Sequence, residues 1–248
     1  MMRFLQSDHR QAAAMTIFAM VISVGALFMP NGWWLLGSFC MFQVYWIAGL
    51  SAGNHRYFTH HSFETTPFWR EFMIWATCTS LSGHPGLYAI IHLEHHLKSD
   101  TPEDPHHYYA QSGMVSFKNI NVKMTPGMKR RFVSDPIMMR TYRYYFAYSF
   151  VAIALLSLIS LEALIYLWAI PVVAMQFARK YVTIKWIHEF GYVSYDTGEG
   201  SRNSKLLGWL FGGEGLHNNH HKFPNRWNFA IKKWEVDPTS WFVRMIKK

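Results

Sequence analysis

Long apolar runs alternate with strongly polar segments along this chain of 248 residues. Four runs are almost free of charge, at residues 12–30, 33–53, about 144–160 and 162–178. Helical runs of this length suit the hydrocarbon core of a bilayer, which is about 30 Å thick, at a rise of about 1.5 Å per residue. Short connections separate the first run from the second and the third from the fourth. The pattern predicts an all-α integral membrane protein with four transmembrane helices in two hairpins.

The polar segments, residues 54–143 and 179–248, are expected to form a helical cap on the cytoplasmic side, so that residues 1–248 make one membrane domain. An apolar stretch at 64–91 is broken by Gly and Pro and predicts a pair of interfacial helices rather than a fifth crossing. Residues 98–135 contain several Gly and Pro and predict a loop with short helices. The first run is longer than the apolar core of a signal peptide, about 7–15 residues, so we expect it in the mature protein.

Lys and Arg are distributed asymmetrically about the four runs. Of 24 such residues, two precede the first run, nine lie between His55 and Arg140, one begins the third run and twelve lie from Arg179 onward. The two short connections within the hairpins have none. By the positive-inside rule, both termini and both polar segments face the cytoplasm.

The net charge of +9 comes from residues that this topology already requires. No nucleic-acid-binding motif accompanies it, so we expect no nucleic-acid partner. A basic cytoplasmic face suits anionic membrane lipid or an acidic protein. The two cysteines, Cys40 and Cys78, lie in apolar surroundings and argue against both a disulfide framework and a thiolate metal site.

Histidines form three clusters, at residues 55–60, 92–96 and 217–221. Because positions i, i+3 and i+4 share one face of a helix, each HxxHH sequence predicts three side chains that converge on one point. His55 and His60 can face a common centre if the helix loosens after Asn54. His188, at the end of the fourth run, is a further candidate. The candidate metal ligands are His55, His60, His92, His95, His96, His188, His217, His220 and His221.

Nine imidazoles exceed the needs of one ion. A structural zinc takes four ligands and usually cysteine, and a haem takes two axial histidines. Two metal ions fit best, and iron is favoured because imidazole suits it and because zinc has no redox chemistry. The other histidines are expected to be surface or hydrogen-bonded core residues: His9, His61, His84, His106 and His107.

The order of these motifs resembles that of a known family. The HRxxxxH sequence at 55–60, the HxxHH sequence at 92–96 and the HNxHH sequence at 217–221 are similar to the boxes of membrane fatty acyl desaturases, in particular the acyl-CoA desaturase branch. The resemblance extends over about residues 48–224. It implies two Fe ions held by the nine histidines, with O2 as co-substrate and two electrons, which together convert an acyl chain to its cis-unsaturated product.

Two regions depart from the family pattern. Ile184 stands where the acyl-CoA enzymes have an asparagine one helical turn before the ninth histidine, so Thr183 or a water would replace it. Ile90 and Ile91 stand where the animal enzymes carry Arg and Asp that contact the CoA headgroup. The sequence therefore leaves three acyl carriers open: acyl-CoA bound through other contacts, acyl-ACP and a lipid-linked chain.

Polar residues beside the boxes are expected to orient the ligands, because a ligating histidine usually donates its second N–H to such a group. These candidates are Asp100, Asp104, Glu214 and Asn218, and the alternative for each is a helix cap or a solvated surface residue. Gln43 and Ile47 share the helical face of His55, deeper in the second run, where this branch sets the depth of the substrate tunnel. The alternative for Ile47 is packing against lipid or another helix.

The reducing equivalents are expected from a separate protein, because only 24 residues follow Pro224. An acidic ferredoxin or cytochrome suits the basic face. The compact size favours a bacterial inner membrane. A hydroxylase or acetylenase on the same scaffold is the nearest alternative. A histidine-rich metal transporter is disfavoured because the runs lack ionisable residues near their centres. A purely structural membrane protein is disfavoured by the cost of so many unpaired imidazoles.

Replacing Ile47 by Ala should shift the product profile toward longer acyl chains, because a smaller side chain deepens a tunnel that Ile47 closes. The measurement is the chain length of unsaturated products after expression in a host of known lipid composition. An unchanged profile would remove Ile47 from the tunnel.

Overall fold

The structure, a computed structural model, describes residues 2–106, 127 and 134–248. Its α-helices are α1 Met2–Ser23, α2 Gly32–Val44, α3 Pro67–Thr79, α4 Pro85–Lys98, α5 Pro136–Ile159, α6 Leu161–Leu164, α7 Ile170–Lys180, α8 Ile187–Glu189, α9 Lys205–Leu210, α10 His217–Lys222 and α11 Pro238–Ile246. Three π-helical segments, π1 Tyr45–Thr59, π2 Ile165–Ala169 and π3 Tyr181–Trp186, and a 3₁₀ turn at Val24–Leu27 continue them. The described residues form no strand, only isolated bridges. The predicted all-α class is confirmed.

Four helical stretches of the described chain are long and apolar enough to cross a membrane, which confirms the predicted number. They are span 1 Arg10–Leu27, span 2 Gly32–Thr59, span 3 Pro136–Ile159 and span 4 Leu161–Glu189. Spans 1 and 2 are joined by a short connection, as are spans 3 and 4. The four apolar helices fit an integral membrane protein.

In three of the four stretches the helix extends beyond the predicted span. Spans 2 and 4 continue past residues 53 and 178, where polar side chains begin, because those side chains are accommodated inside the protein. Asn54 is fully buried, and Arg179 donates to the carbonyl oxygen of Leu81 at 3.4 Å. Span 3 begins at Pro136 rather than near residue 144, since the Asp135 carboxylate caps the helix by accepting from the backbone N–H of Ile137 at 2.8 Å.

The apolar stretch at 64–91 forms α3 and the first part of α4, with 13 and 14 residues. Side chains from spans 3 and 4 hold the turn between these helices. The Trp168 indole donates to the Thr79 carbonyl at 3.0 Å, Ser149 to Cys78 at 3.0 Å and Gln176 to Leu81 at 3.1 Å. These bonds set the position of α4, which carries the second histidine cluster. Most of the loop predicted at 98–135 lies outside the described residues.

The start of α4 is fixed by His84. Its Nδ1 accepts from the backbone N–H groups of Gly86 and Leu87 at 3.1 and 3.4 Å, and Pro85 occupies the first helical position. Burial lowers the pKa of His84 to about 3, which keeps the imidazole neutral and able to accept. His84 is thus a hydrogen-bonded core residue, as expected.

The last part of span 2, π1, is a wide helix of 15 residues. A π-helix closes its hydrogen bonds between residues five apart. His60 follows π1 directly, and its backbone N–H donates to the carbonyl of His55 at 3.2 Å. The wide turn therefore stacks these two histidines, which an α-helix would separate around its axis.

Glycines let α3 pack tightly on π1. A Cβ at Gly49 would lie 2.9 Å from the backbone of Ala76 and Thr77, and one at Gly53 would lie 3.2 Å from the Cβ of Met73. Both helices thus approach to backbone contact. Around this junction lies the core, which includes the fully buried Trp46 and Trp168. The histidine-bearing end of span 2 is held rigidly against α3.

Candidate metal centre

Two groups of histidine side chains meet beside the end of span 2. In each group the potential ligand atoms all lie within 4.8 Å of one another. The five-histidine group consists of His55, His60, His92, His96 and His220. The four-histidine group consists of His95, His188, His217 and His221. Together they contain all nine candidates.

Each HxxHH box serves both groups, and the expectation that its three side chains converge on one point was wrong. In α4, His92 and His96 face the five-histidine group, whereas His95 faces the other. The reason is angular: on an α-helix, i+4 lies about 40° from i on one side and i+3 about 60° on the other. In α10 the same spacing sends His220 to the five-histidine group, and His217 and His221 to the four-histidine group.

The Nε2 atoms point inward within the five-histidine group. His220 Nε2 lies 2.9 Å from that of His55, 2.9 Å from that of His96 and 3.4 Å from that of His92. The Nε2 atoms of His92 and His96 are 3.0 Å apart. One ring nitrogen carries either one hydrogen or one lone pair, so His220 cannot pair with three neighbours.

A cation at the centre satisfies all these atoms at once. Nitrogens bound to one ion at about 2.1 Å lie about 3.0–3.4 Å apart, which matches the separations found here. The Nε2 atoms of His60, His95 and His221 are buried without a hydrogen-bond partner in the described part of the chain. In the four-histidine group, those of His188 and His217 are 3.0 Å apart. The residues present therefore fit two metal ions.

Four of the nine histidines have a carboxylate next to Nδ1, the ring nitrogen on the side away from the centre of the group. Nδ1 donates from His55 to Glu214 at 2.6 Å, from His95 to Asp104 at 2.9 Å and from His188 to Asp100 at 3.1 Å. His221 Nδ1 lies 3.3 Å from a carboxylate oxygen of Glu199. A hydrogen on Nδ1 leaves the lone pair on Nε2, where a metal ion would bind.

Two residues near the histidines differ from what the sequence predicted. The amide oxygen of Asn218 accepts from the backbone N–H groups of Ser194 and Tyr195 at 2.8 and 2.9 Å. Asn218 therefore holds a loop in place rather than orienting a ligating histidine. Glu199 was missed, because no periodic pattern connects it to His221. Its only sequence signal is its place between Gly198 and Gly200.

Burial keeps the imidazoles neutral. It lowers the pKa of His60 to about 2 and those of His92, His95, His217 and His220 well below the ordinary value, and the neighbouring histidines add to the effect. Neutral imidazole is the form that binds metal.

The carboxylates behind them stay ionised. Burial alone would raise the pKa of Glu214, but His55, Arg56 and hydrogen bonds hold it below its usual value. Burial likewise opposes ionisation of Glu199, yet contacts with His221 and Ser201 lower its pKa overall. The hydrogen bond from His188 lowers the pKa of Asp100. The site thus places ionised carboxylates directly behind the candidate ligands.

Arg56, fully buried in the first box, joins π1 to α11. Its guanidinium donates to both oxygens of Asp237 at 3.1 and 3.2 Å and to Ser51 Oγ at 2.8 Å. Asp237 also caps α11 by accepting from the backbone N–H of Ser240 at 3.1 Å. The guanidinium lies 4.0 Å from the centre of the Phe229 ring, which in turn lies 4.5 Å from the His220 ring. Sequence reasoning missed Asp237, which is far from every box.

The remaining candidates lie around this centre. Gln43 and Ile47 are half-buried, and Ile47 packs with the cluster that includes Trp46 and Phe211. Ile184 is half-buried in π3, one turn before His188. Ile90 and Ile91 are buried.

The histidines set aside as non-ligands are described only in part. The His106 ring stacks on that of His95 with 3.9 Å between centroids, and His61 is exposed. The His9 side chain and His107 lie outside the described part.

Comparison with known proteins gives one family. The model of the fatty acid desaturase family matches residues 31–235. The chain is 30% identical over 250 positions to the sn-1 stearoyl-lipid 9-desaturase of Anabaena variabilis, covering 94% of this chain and 89% of that protein. It is 28% identical over 260 positions to stearoyl-CoA desaturase 4 of Mus musculus, covering 92% of this chain and 70% of that protein.

The variant Asp237→Asn should lose stability, because it leaves the buried Arg56 guanidinium without its anionic partner. Breaking a buried ion pair from one side costs about 3–5 kcal/mol. The measurement is the thermal unfolding temperature in detergent. Glu71→Gln is the matched control: it removes the exposed partner of Arg140 and should change stability by less than about 1 kcal/mol. Equal shifts in the two variants would contradict a structural role for the Arg56–Asp237 pair.

Proposed function

The chain belongs to the fatty acid desaturase family and is an oxidoreductase of the acyl desaturase type, and from that premise we propose that its nine histidines hold two iron ions. The observation that carries the proposal is the convergence of ring nitrogens from nine histidines in groups of five and four. Zinc would fit the nitrogens but has no redox chemistry. When bound, the iron pair supplies the activation of O2.

The overall reaction removes two hydrogens from neighbouring methylenes of a fatty acyl chain and leaves a cis double bond. One O2 accepts these, together with two further electrons and two protons, and becomes two waters. Because unactivated methylenes offer no charge or polar group to bind, the protein contributes by placing one carbon pair beside the site and excluding water. The buried aromatic and aliphatic surroundings of the histidines support this role.

The electrostatic setting supports divalent ions. Imidazole binds metal in its neutral form and adds no charge, whereas Asp100, Asp104, Glu199 and Glu214 place four anionic groups directly behind the ligands. Two divalent cations carry the opposite charge of equal size. Each carboxylate also fixes the ring orientation of its histidine, which sets the direction of the Nε2 lone pair.

The choice of acyl carrier depends on which groups of the protein could contact its headgroup. Ile90 and Ile91 are buried and uncharged, so neither can bind the phosphates of CoA. The two similar proteins named above act on a stearoyl-lipid and on stearoyl-CoA. We propose a fatty acyl substrate held by its chain, with Gln43 and Ile47 along the tunnel and the histidine-bearing end of the spans on the cytoplasmic side.

Iron content tests the site directly. Wild-type protein should hold about two irons per chain, and His220→Ala or His95→Ala, one from each group, should each retain about one and form no unsaturated product. The measurements are elemental analysis and mass spectrometry of host lipids, which also distinguishes a double bond from a hydroxyl or triple bond. His61→Asn is the control, because His61 is exposed with φ 48 and Asn tolerates that region. Active protein without iron would overturn the proposal.

The electron donor is proposed to dock around Trp234. This half-exposed ring lies 4.0 Å from Lys205 Nζ and 5.3 Å from Lys232 Nζ. Behind it, Tyr192 donates to Glu235 at 2.6 Å, and Glu235 accepts from Asn219, the neighbour of His220, at 2.9 Å. A basic aromatic patch with a bonded route to the site suits an acidic ferredoxin or cytochrome.

Replacing Lys205 and Lys232 together by Gln should raise the KM for an acidic ferredoxin about tenfold at low ionic strength, with kcat unchanged, because steering charges act on association. The difference from wild type should disappear at high salt. Lys248→Gln is the control for charge alone. Turnover that is insensitive to ionic strength would contradict docking by charge.

A further inference from the structure

A cavity of about 560 Å³ lies between spans 2, 3 and 4 and α3, away from the histidines. Most of its lining comes from one face of span 3, which it follows from Arg140 through Tyr144 and Tyr148 to Leu155 and Leu156. Residues four and seven apart repeat along this face, as the helical period requires. Arg140 and Leu156 are about 24 Å apart along the helix axis at about 1.5 Å per residue. The groove therefore runs through most of a bilayer core.

Span 3 leaves this groove open because it packs on the bundle mainly through another face, where Tyr145 and Ser149 are buried. It packs on α3 and α4 near the histidines and on α6 at the opposite end. Only 11% of the most apolar stretch of span 3 is buried inside the protein, against 56% for span 4. Tyr144, which lines the groove, interrupts the helix with φ −114 and ψ 18. Val151 and Leu155 on the lining face are each 58% exposed.

The groove has one polar end. There the guanidinium of Arg140 meets the carboxylate of Glu71 at 2.5 Å, and the two side chains are 44% and 42% exposed. Beyond Tyr148 the lining is aliphatic, from Val151 to Leu156, with Leu167 opposite. An apolar groove of this size inside the membrane excludes water and is filled by lipid. Its polarity follows that of a phospholipid, with a charged head at the interface and a chain below.

The Arg140–Glu71 ion pair determines which phospholipid headgroup fits the polar end of the groove. Because Arg140 and Glu71 cancel, an anionic headgroup gains from one and is repelled by the other. A headgroup with both charges fits each: the phosphate faces Arg140 and a primary ammonium faces Glu71. Exposed ion pairs contribute little to stability, so a lipid headgroup can open this one.

We propose that this groove binds a membrane phospholipid with a phosphate and a primary amine, of the phosphatidylethanolamine type, with one acyl chain lying along span 3. The site is separate from the histidine centre and does not depend on the metal chemistry. The lipid fills the contact that spans 2 and 3 lack near their middle and fixes span 3 against the bundle.

The test uses the full chain in nanodiscs made from equal parts of phosphatidylethanolamine, phosphatidylcholine and phosphatidylglycerol, with retained lipid measured by native mass spectrometry. Wild type should retain about one lipid, with phosphatidylethanolamine enriched about fivefold. Glu71→Gln should shift the preference to phosphatidylglycerol, because Arg140 is then unpaired. Arg140→Gln should lower retention of all three lipids.

Matched variants on the same helix separate this site from general annular lipid. Leu155→Trp fills the groove and should abolish retention, whereas Leu158→Trp, an exposed position outside the lining, should not change it. Arg143→Gln controls for the loss of one positive charge at Arg140. Retained lipid with the composition of the nanodisc in every variant would overturn the proposal. So would a dimer that retains no lipid and that Leu155→Trp dissociates, since a second copy would then occupy the groove.

Discussion

The structure depends on one constraint: nine imidazole lone pairs converge in a buried space where none can be left unpaired. In low dielectric, an unsatisfied polar group costs more than a hydrogen bond returns. The protein meets part of this cost by placing carboxylates beside Nδ1, as Glu214 beside His55, which leaves the Nε2 lone pair free to bind a cation. The burial that makes the arrangement expensive also keeps the imidazoles neutral, since burial lowers the pKa of His60 to about 2. Ligand identity and protonation state thus have the same physical cause.

Helix geometry distributes these ligands between two centres without long loops. The 3.6-residue period separates i+3 from i+4 by about 100°, so one short helix faces two neighbouring points. α10 does this with only six residues. A π-helix does the opposite at His55 and His60, because its wider turn brings residues five apart to one face. The α-helical turns of α4 and α10 and the π-helical turn at His55 and His60 approach the site from different sides. Together with His188 they form the groups of five and four histidines.

The sequence could predict what is local and periodic. Apolar runs identify four spans, and i, i+3, i+4 spacing identifies six of the nine candidate ligands. It could not predict where spans 2 and 4 end, because Asn54 continues inside the protein as a buried residue and pattern alone treats it as a stop. It could not assign each HxxHH to two centres, because that depends on where α4 and α10 lie relative to each other. Glu199 and Asp237 escaped for the same reason: they reach His221 and Arg56 only through the fold, over 22 and 181 residues.

Charge balance connects the site to the stability of the whole chain. Arg56 pairs with Asp237 and also lies 3.7 Å from Glu214, so among the described residues only the other three carboxylates behind the histidines have no fixed cation beside them. Four anionic groups near buried, neutral rings repel one another and resist desolvation. Two divalent cations would remove that cost on binding, and metal binding would then be thermodynamically coupled to folding of this end. The contacts that hold α4 and α11, Trp168 to Thr79 and Arg56 to Asp237, do not involve the ligands. The scaffold can therefore hold the histidines in place through contacts of its own, with four of the rings already oriented by carboxylates for a metal ion.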